Sequence, residues 1–290
     1  DPNKYNLNST FYDVVRNNDW TLDTFSTIVK GFYRDNPAAG KRGARDAEDR
    51  FGIIAPAWTD ADAFAYAFGL NFVKNDGVSD PELWDWDGNQ YDMAVALREL
   101  FYANGTWMDS SVQYLAERAA FFSQTDRALF ELNTLGSLKY DVIHNMEQDF
   151  GVLPYPKWKS EQASFYTGSA DNYTALLVPY TALWNEQRLR MTGALIEALA
   201  AENCNSVKNP YYDEIITHHN VTDGDSVEMI NLIMDGRVYD LGMYHYNELV
   251  FDSSDKDNGA FALFFRYLIR NPDQDIVQYW QRYGGTLDGQ

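Results

Sequence analysis

Residues 141–162, DVIHNMEQDFGVLPYPKWKSEQ, constrain the chain more than any other stretch. They read as the end of a helix, a short strand over residues 150–153 and a rigid exit through Pro154 and Pro156. Each proline fixes its own φ, removes a backbone donor and pushes the residue before it towards extended backbone. Neither a helix nor a central strand runs readily through this exit. Tyr155 and Trp158 flank it and supply aromatic surface.

The rest of the chain alternates short apolar runs with helical periods. Thr21 caps a helix carrying Leu22, Phe25, Val29 and Phe32. A polar loop with Arg34, Lys41, Arg42, Arg45 and Arg50 leads into a strand over 51–56. Thr59 and Asp62 make a capping box for a helix through Phe64 and Phe68. Residues 84–91 read as a hairpin around Asp87-Gly88, followed by helices over 92–102 and 111–122. Further strands are expected over 128–132 and 176–179. Helices dominate afterwards, over 185–202, 210–218, 225–234, 258–270 and 273–283, the last ending at Gly284-Gly285. The longest carries Leu189, Leu195, Ile196 and Leu199 on one side. Early alternation and late helices together predict an α/β protein whose helices pack on a small sheet.

Composition narrows the function. With 43 acidic and 23 basic residues the net charge is −20, a surface that repels phosphate backbones and disfavours nucleic acid, anionic membranes and anionic ligands. A neutral ligand such as a sugar fits better. Cys204 is the only cysteine, which excludes an intrachain disulfide and a multi-cysteine zinc site. The N-terminal residues lack the order of a signal peptide, as a mature chain also would. The Asn-x-Ser/Thr sequons at Asn8, Asn104, Asn172 and Asn220 carry little weight in a chain this rich in Asn and Thr. Metal signals are poor. The acidic loop of Asp252, Asp255 and Asp257 lacks the distal Glu of a calcium loop, and adjacent His218 and His219 would point about 100° apart on a helix. No H-E-x-x-H, G-x-S-x-G, P-loop or G-x-G-x-x-G occurs. No metal and no cofactor is expected.

A binding cleft in such a fold opens at the C-terminal ends of the strands. Trp58 lies just past the 51–56 strand and is the first candidate to stack on a sugar ring, with a core tryptophan as the competing reading. Asn133 follows the 128–132 strand and is a candidate to hydrogen-bond a hydroxyl, against an ordinary turn asparagine. Trp84 and Trp86 share one face of the expected hairpin, which packs on the following helix.

Four segments in order resemble the carbohydrate-type extracellular solute-binding proteins of ABC importers. They are NNDWTLDTF (17–25), DRFGIIAP (49–56), residues 149–162 with FGVLPYPK, and residues 195–240 with NPYYDEI and D-x-D-S-x-E-M-I before Tyr239-Asp240-Leu241-Gly242. The resemblance implies a type II periplasmic-binding-protein-like fold, mostly lobe two plus a returning part of lobe one, in a chain that begins where the family first crosses into lobe two. It implies a lobe-two core over 1–165, a hinge return with partial lobe one over 166–222 and C-terminal helices packing back over 223–290. It places Tyr166, Ser169 and Asp171 in a loop that faces the ligand. The loop over 36–40, NPAAG, departs from the family's calcium-type loop. The implied protein is not an enzyme. It is a monomeric receptor for a small solute, an oligosaccharide foremost, which it delivers to an ABC permease from a lipid anchor on a Gram-positive cell surface. The alternative is a glycoside hydrolase working with two carboxylates in one cleft.

Overall fold

In the computed structural model, residues 10–36, 49–55, 59–74, 79–80, 82–83, 88–108, 118, 121–123, 127–139, 143, 146, 149–169, 176–208, 224–240, 266, 268–269, 271–273 and 275–278 are described. The fold is mixed α/β around a small parallel sheet.

Helix α1 (Phe11–Arg16) opens with a complete capping box: Thr10 accepts from the Asp13 amide and the Asp13 carboxylate accepts from the Thr10 amide. It is too short to continue past Asn17, and Asn18 turns the chain with a φ of 65°, a left-handed conformation that asparagine tolerates. That turn delivers Trp20 into the core. Thr21 then caps helix α2 (Leu22–Phe32), which buries Leu22, Phe25 and Val29 of the expected stripe together with Ile28, while Phe32 is half-buried.

Strand β1 (Phe51–Ile54) is buried along its whole length. It sits between β4 (Thr106–Trp107) and β5 (Ala128–Glu131), parallel to both. A parallel strand covered on both faces reads as a continuous apolar run, and FGII is one. Helix α2 lies very close on this sheet. A Cβ added at Gly52 would stand 2.4 Å from Val29 Cα, and one at Gly105 would stand 2.4 Å from the Val29 carbonyl oxygen. Glycine at both positions lets the helix backbone touch the sheet.

Helix α3 (Thr59–Ala67) follows β1. Gly69, with φ +81°, ends it: the Gly69 amide donates to the Tyr66 carbonyl and the Leu70 amide to that of Ala65, the Schellman arrangement. A short antiparallel pair, β2 (Val73–Lys74) and β3 (Glu82–Leu83), precedes helix α4 (Gly88–Phe101). The expected hairpin around Asp87-Gly88 therefore does not form as such, because Gly88 already opens α4; residues 84–87, with Trp84 and Trp86, lie outside the described residues. Strand β6 (Thr167–Gly168) pairs in parallel with β7 (Arg237–Val238). Helix α6 (Gly224–Asp235) leads into β7 and buries Ser226, Met229, Ile230 and Ile233.

Two strand expectations are corrected. Residues 150–153 adopt no regular secondary structure and join no ladder. A side chain takes one of their backbone groups, the Val152 amide donating to Ser226 Oγ at 3.3 Å, and just beyond them the Pro154 carbonyl accepts from Trp20 Nε1 at 2.9 Å. Regular pairing begins only at Lys157, which bridges Thr21. Residues 176–179 are exposed and lead into a 3-10 turn, Tyr180–Trp184, rather than forming a strand. Helix α5 (Glu186–Asn203) forms where expected, with Asn185 accepting from the Gln187 and Arg188 amides as its cap. It buries none of its residues, so its Leu189, Leu195 and Leu199 stay exposed. The expected helices over 111–122, 258–270 and 273–283 are described only at scattered positions, and that over 210–218 lies outside the described residues.

Candidate functional site

The parallel register sets the site. Ile54 and Glu131 are partners at the C-terminal ends of β1 and β5, so whatever follows these strands gathers at one edge of the sheet. After β1 comes Asp60 in the first turn of α3. After β5 come Leu132 and Asn133. A cavity of about 410 Å³ opens here, within the size range of small-molecule sites.

Its apolar wall includes Trp20, Phe25 and Phe130, three rings whose centroids lie 5.3 to 6.0 Å apart. The extended segment 150–156 forms another side and brings in Tyr155. The β6–β7 pair supplies Ser169 and Arg237. The lack of a ladder along 150–153 thus has a consequence: the segment lines a cavity instead of extending a sheet.

The polar groups are few and close. Tyr155 donates its phenol proton to Asp60 Oδ1 at 3.1 Å and stacks edge-on against Phe64. Asn133 Nδ2 donates to Glu131 Oε1 at 2.7 Å, while Asn133 Oδ1 accepts from the Thr134 amide. Arg118 Nη1 donates to the Leu132 carbonyl at 2.6 Å. Asp60 Oδ2 and Arg118 Nε are both buried and have no hydrogen-bond partner.

Burial pushes the Asp60 carboxyl up to about 7; the Arg118 charge and the Tyr155 hydrogen bond oppose this, and the Glu131 charge adds to it. Burial likewise raises Glu131 to about 7, against the Asn133 hydrogen bond and the Arg118 charge. The Tyr155 phenol is pushed well above its ordinary value by burial and by the neighbouring Asp60 carboxylate. Near neutral pH both carboxyls therefore exchange between a form that donates and a form that only accepts. Such groups can hold hydroxyls of either polarity, and they have the proton affinity that acid–base catalysis uses.

Of the residues singled out from sequence, Asn133 and Ser169 line the cavity. Asn133 accepts from the next amide at one end of its side chain and holds Glu131 at the other. Tyr166 sits apart, its ring 3.4 Å from where a Cβ on Gly69 would be. Trp58 and Asp171 lie outside the described residues.

Sequence reasoning missed Asp60, Arg118, Glu131 and Tyr155. Two signals were present. Asp60 falls between Thr59 and Asp62, which sequence expects to open a helix and of which Thr59 is already helical, and Glu131 is a charged residue ending an otherwise apolar strand. Arg118 had no such signal, because only folding brings it to Leu132. Comparison of the chain with protein-family models, curated proteins and solved structures finds no match.

Proposed function

We propose that this chain is a non-enzymatic receptor for a small, uncharged, hydroxyl-rich solute, an oligosaccharide foremost. The observation that carries the reading is the cavity at the C-terminal ends of β1 and β5, with an aromatic wall on one side and Asp60, Glu131, Asn133, Arg118 and Tyr155 on the other. Sugar rings present C–H faces that pack on aromatic rings, and their buried hydroxyls need paired donors and acceptors. The acidic surface argues against an anionic solute.

The further role rests on the sequence resemblance alone. On that reading the fold is the type II periplasmic-binding-protein-like arrangement of lobe two with a returning part of lobe one. The monomer, lipid-anchored at a Gram-positive cell surface, hands its solute to an ABC permease.

A thermal-shift screen against mono- and oligosaccharides tests the receptor. A ligand at one hundred times its Kd stabilises the native state by about 2.7 kcal/mol, which is readily seen as a raised Tm. No shift across the panel would remove the sugar from the reading.

One observation favours a second reading, a glycoside hydrolase. Asp60 and Glu131 line one cavity, and burial raises both carboxyls to about 7, within the range in which a carboxyl can serve as a general acid near neutral pH. Chromatography of oligosaccharides incubated with the protein separates the two: cleavage products that disappear in Glu131→Gln would replace the receptor with an enzyme.

A further inference from the structure

The hydrogen-bond inventory around Asp60 and Arg118 leaves one acceptor and one donor over. Oδ1 of Asp60 is taken by Tyr155, and Nη1 of Arg118 by the Leu132 carbonyl. Oδ2 of Asp60 and Nε of Arg118 are buried with nothing bonded to them. The two residues are 3 % and 8 % exposed and both line the cavity. An unpaired buried acceptor and an unpaired buried donor each cost stability, and native chains rarely keep them without a use.

The two leftover atoms select among ligand groups. An ammonium would donate to Asp60 Oδ2 but offers nothing to Arg118 Nε. A carboxylate would accept from Arg118 but repel the Asp60 oxygen. A hydroxyl donates and accepts through one atom. Resting on the receptor reading above, we propose that Asp60 and Arg118 are the specificity pair of this cavity: one hydroxyl of an uncharged polyol bridges them, donating to Asp60 Oδ2 and accepting from Arg118 Nε. Both residues line the cavity, and because the two atoms are closed to solvent the hydroxyl reaches them only if both side chains shift on binding. Glu131, fixed by Asn133, stays beside the pair as a second acceptor.

The test uses the full chain and calorimetric titration. A panel of mono- and oligosaccharides, with an amino sugar, a sugar acid and glutamine as controls, is titrated into the parent, Asp60→Asn and Arg118→Lys. Deoxy analogues of the tightest sugar follow. Charge-assisted hydrogen bonds of this kind imply a weakening of about ten- to a hundred-fold when one partner is lost. The expected result is that Asp60→Asn binds the neutral sugar at least ten-fold more weakly. One particular deoxy analogue should lose as much against the parent yet nothing further against Asp60→Asn. That coupling identifies the bridging hydroxyl, and a variant damaged only in its fold would not show it. If the parent binds a neutral sugar and Asp60→Asn binds it equally well, the pair is overturned while the receptor stands. If the amino sugar, the sugar acid or glutamine binds and neutral sugars do not, the hydroxyl is overturned. If the folded parent binds nothing in the panel, the receptor reading falls and takes the pair with it.

Discussion

The phenol of Tyr155 donates a 3.1 Å hydrogen bond to Oδ1 of Asp60 across 95 positions of sequence. It joins the proline-flanked segment to the first turn of α3 and so closes the cavity between them. Tyr155→Phe removes the donor and leaves both Asp60 oxygens without a partner. An unsatisfied buried group of this kind costs about 1–3 kcal/mol, to be read as a lower midpoint in urea. The same hydrogen bond holds the Asp60 carboxyl down, so its loss moves that group further up. Carboxyl NMR titration of the parent and the variant checks the direction, and an unmoved Asp60 titration would remove Tyr155 from the site's electrostatics.

Stability should fall as pH rises through the weakly acidic range. Asp60 and Glu131 lie near 7 in the folded chain against 3.8 and 4.5 as ordinary carboxyls, so the folded state holds their protons more tightly. Their contribution is complete below about pH 4, declines as pH rises towards 7 and is gone above it. For Asp60 alone the ceiling is about 4 kcal/mol, from 1.36 kcal/mol per pKa unit. Asp60→Asn never ionises. Expected in urea unfolding is a smaller loss between pH 4 and 8 for the variant than for the parent, and a variant more stable than the parent at pH 8. Parallel curves would show that Asp60 stays ionised throughout.

Sequence patterning located the elements that are fixed locally. Thr21 caps its helix as expected, the helix expected over 185–202 forms with Asn185 as its cap, and FGII at 51–54 is the buried parallel strand its composition demands. The errors fall where tertiary partners replace local ones. Residues 150–153 have strand composition, but the Val152 amide bonds to Ser226 from a distant part of the chain, and Pro154 just after them accepts from Trp20. Gly88 suits a turn, yet it opens a helix. At the site, Asn133 was visible because it directly follows a strand. Arg118 was not, because its place depends on a bond to Leu132 that no local pattern encodes.

Asp62 and Arg266 form an ion pair whose side chains are 5 % and 21 % exposed. Arg266 Nε also donates to Asp62 Oδ2 at 3.1 Å. Breaking such a pair from one side leaves a guanidinium without its partner, at a cost of about 3–5 kcal/mol. Asp62→Ala should therefore lower the urea midpoint sharply. Replacing both partners by apolar residues should recover much of the loss, because no stranded charge remains. If the single and double variants are equally unstable, the pair contributes through packing rather than through charge.

The close approach of α2 to the sheet gives the sharpest packing test. At Gly52 a Cβ would stand 2.4 Å from Val29 Cα and 2.5 Å from the Val29 carbonyl oxygen. Both are backbone atoms, so no rotamer change relieves the clash; the helix itself must move off β1. Overpacking of a well-filled core costs about 1–3 kcal/mol and more where backbone must shift, so Gly52→Ala should lie at or beyond the top of that range. Gly193 is the internal control. It sits in the exposed helix α5 with nothing within 4 Å of its added Cβ, and alanine in a helix interior is better than glycine by about 0.5–1 kcal/mol. Gly193→Ala should leave the global midpoint unchanged or slightly raised and increase helical ellipticity, while Gly52→Ala should unfold at markedly lower urea. A tolerated Gly52→Ala would mean that α2 does not rest on the sheet at Val29, and the wall that places Trp20 and Phe25 beside the cavity would lose its footing.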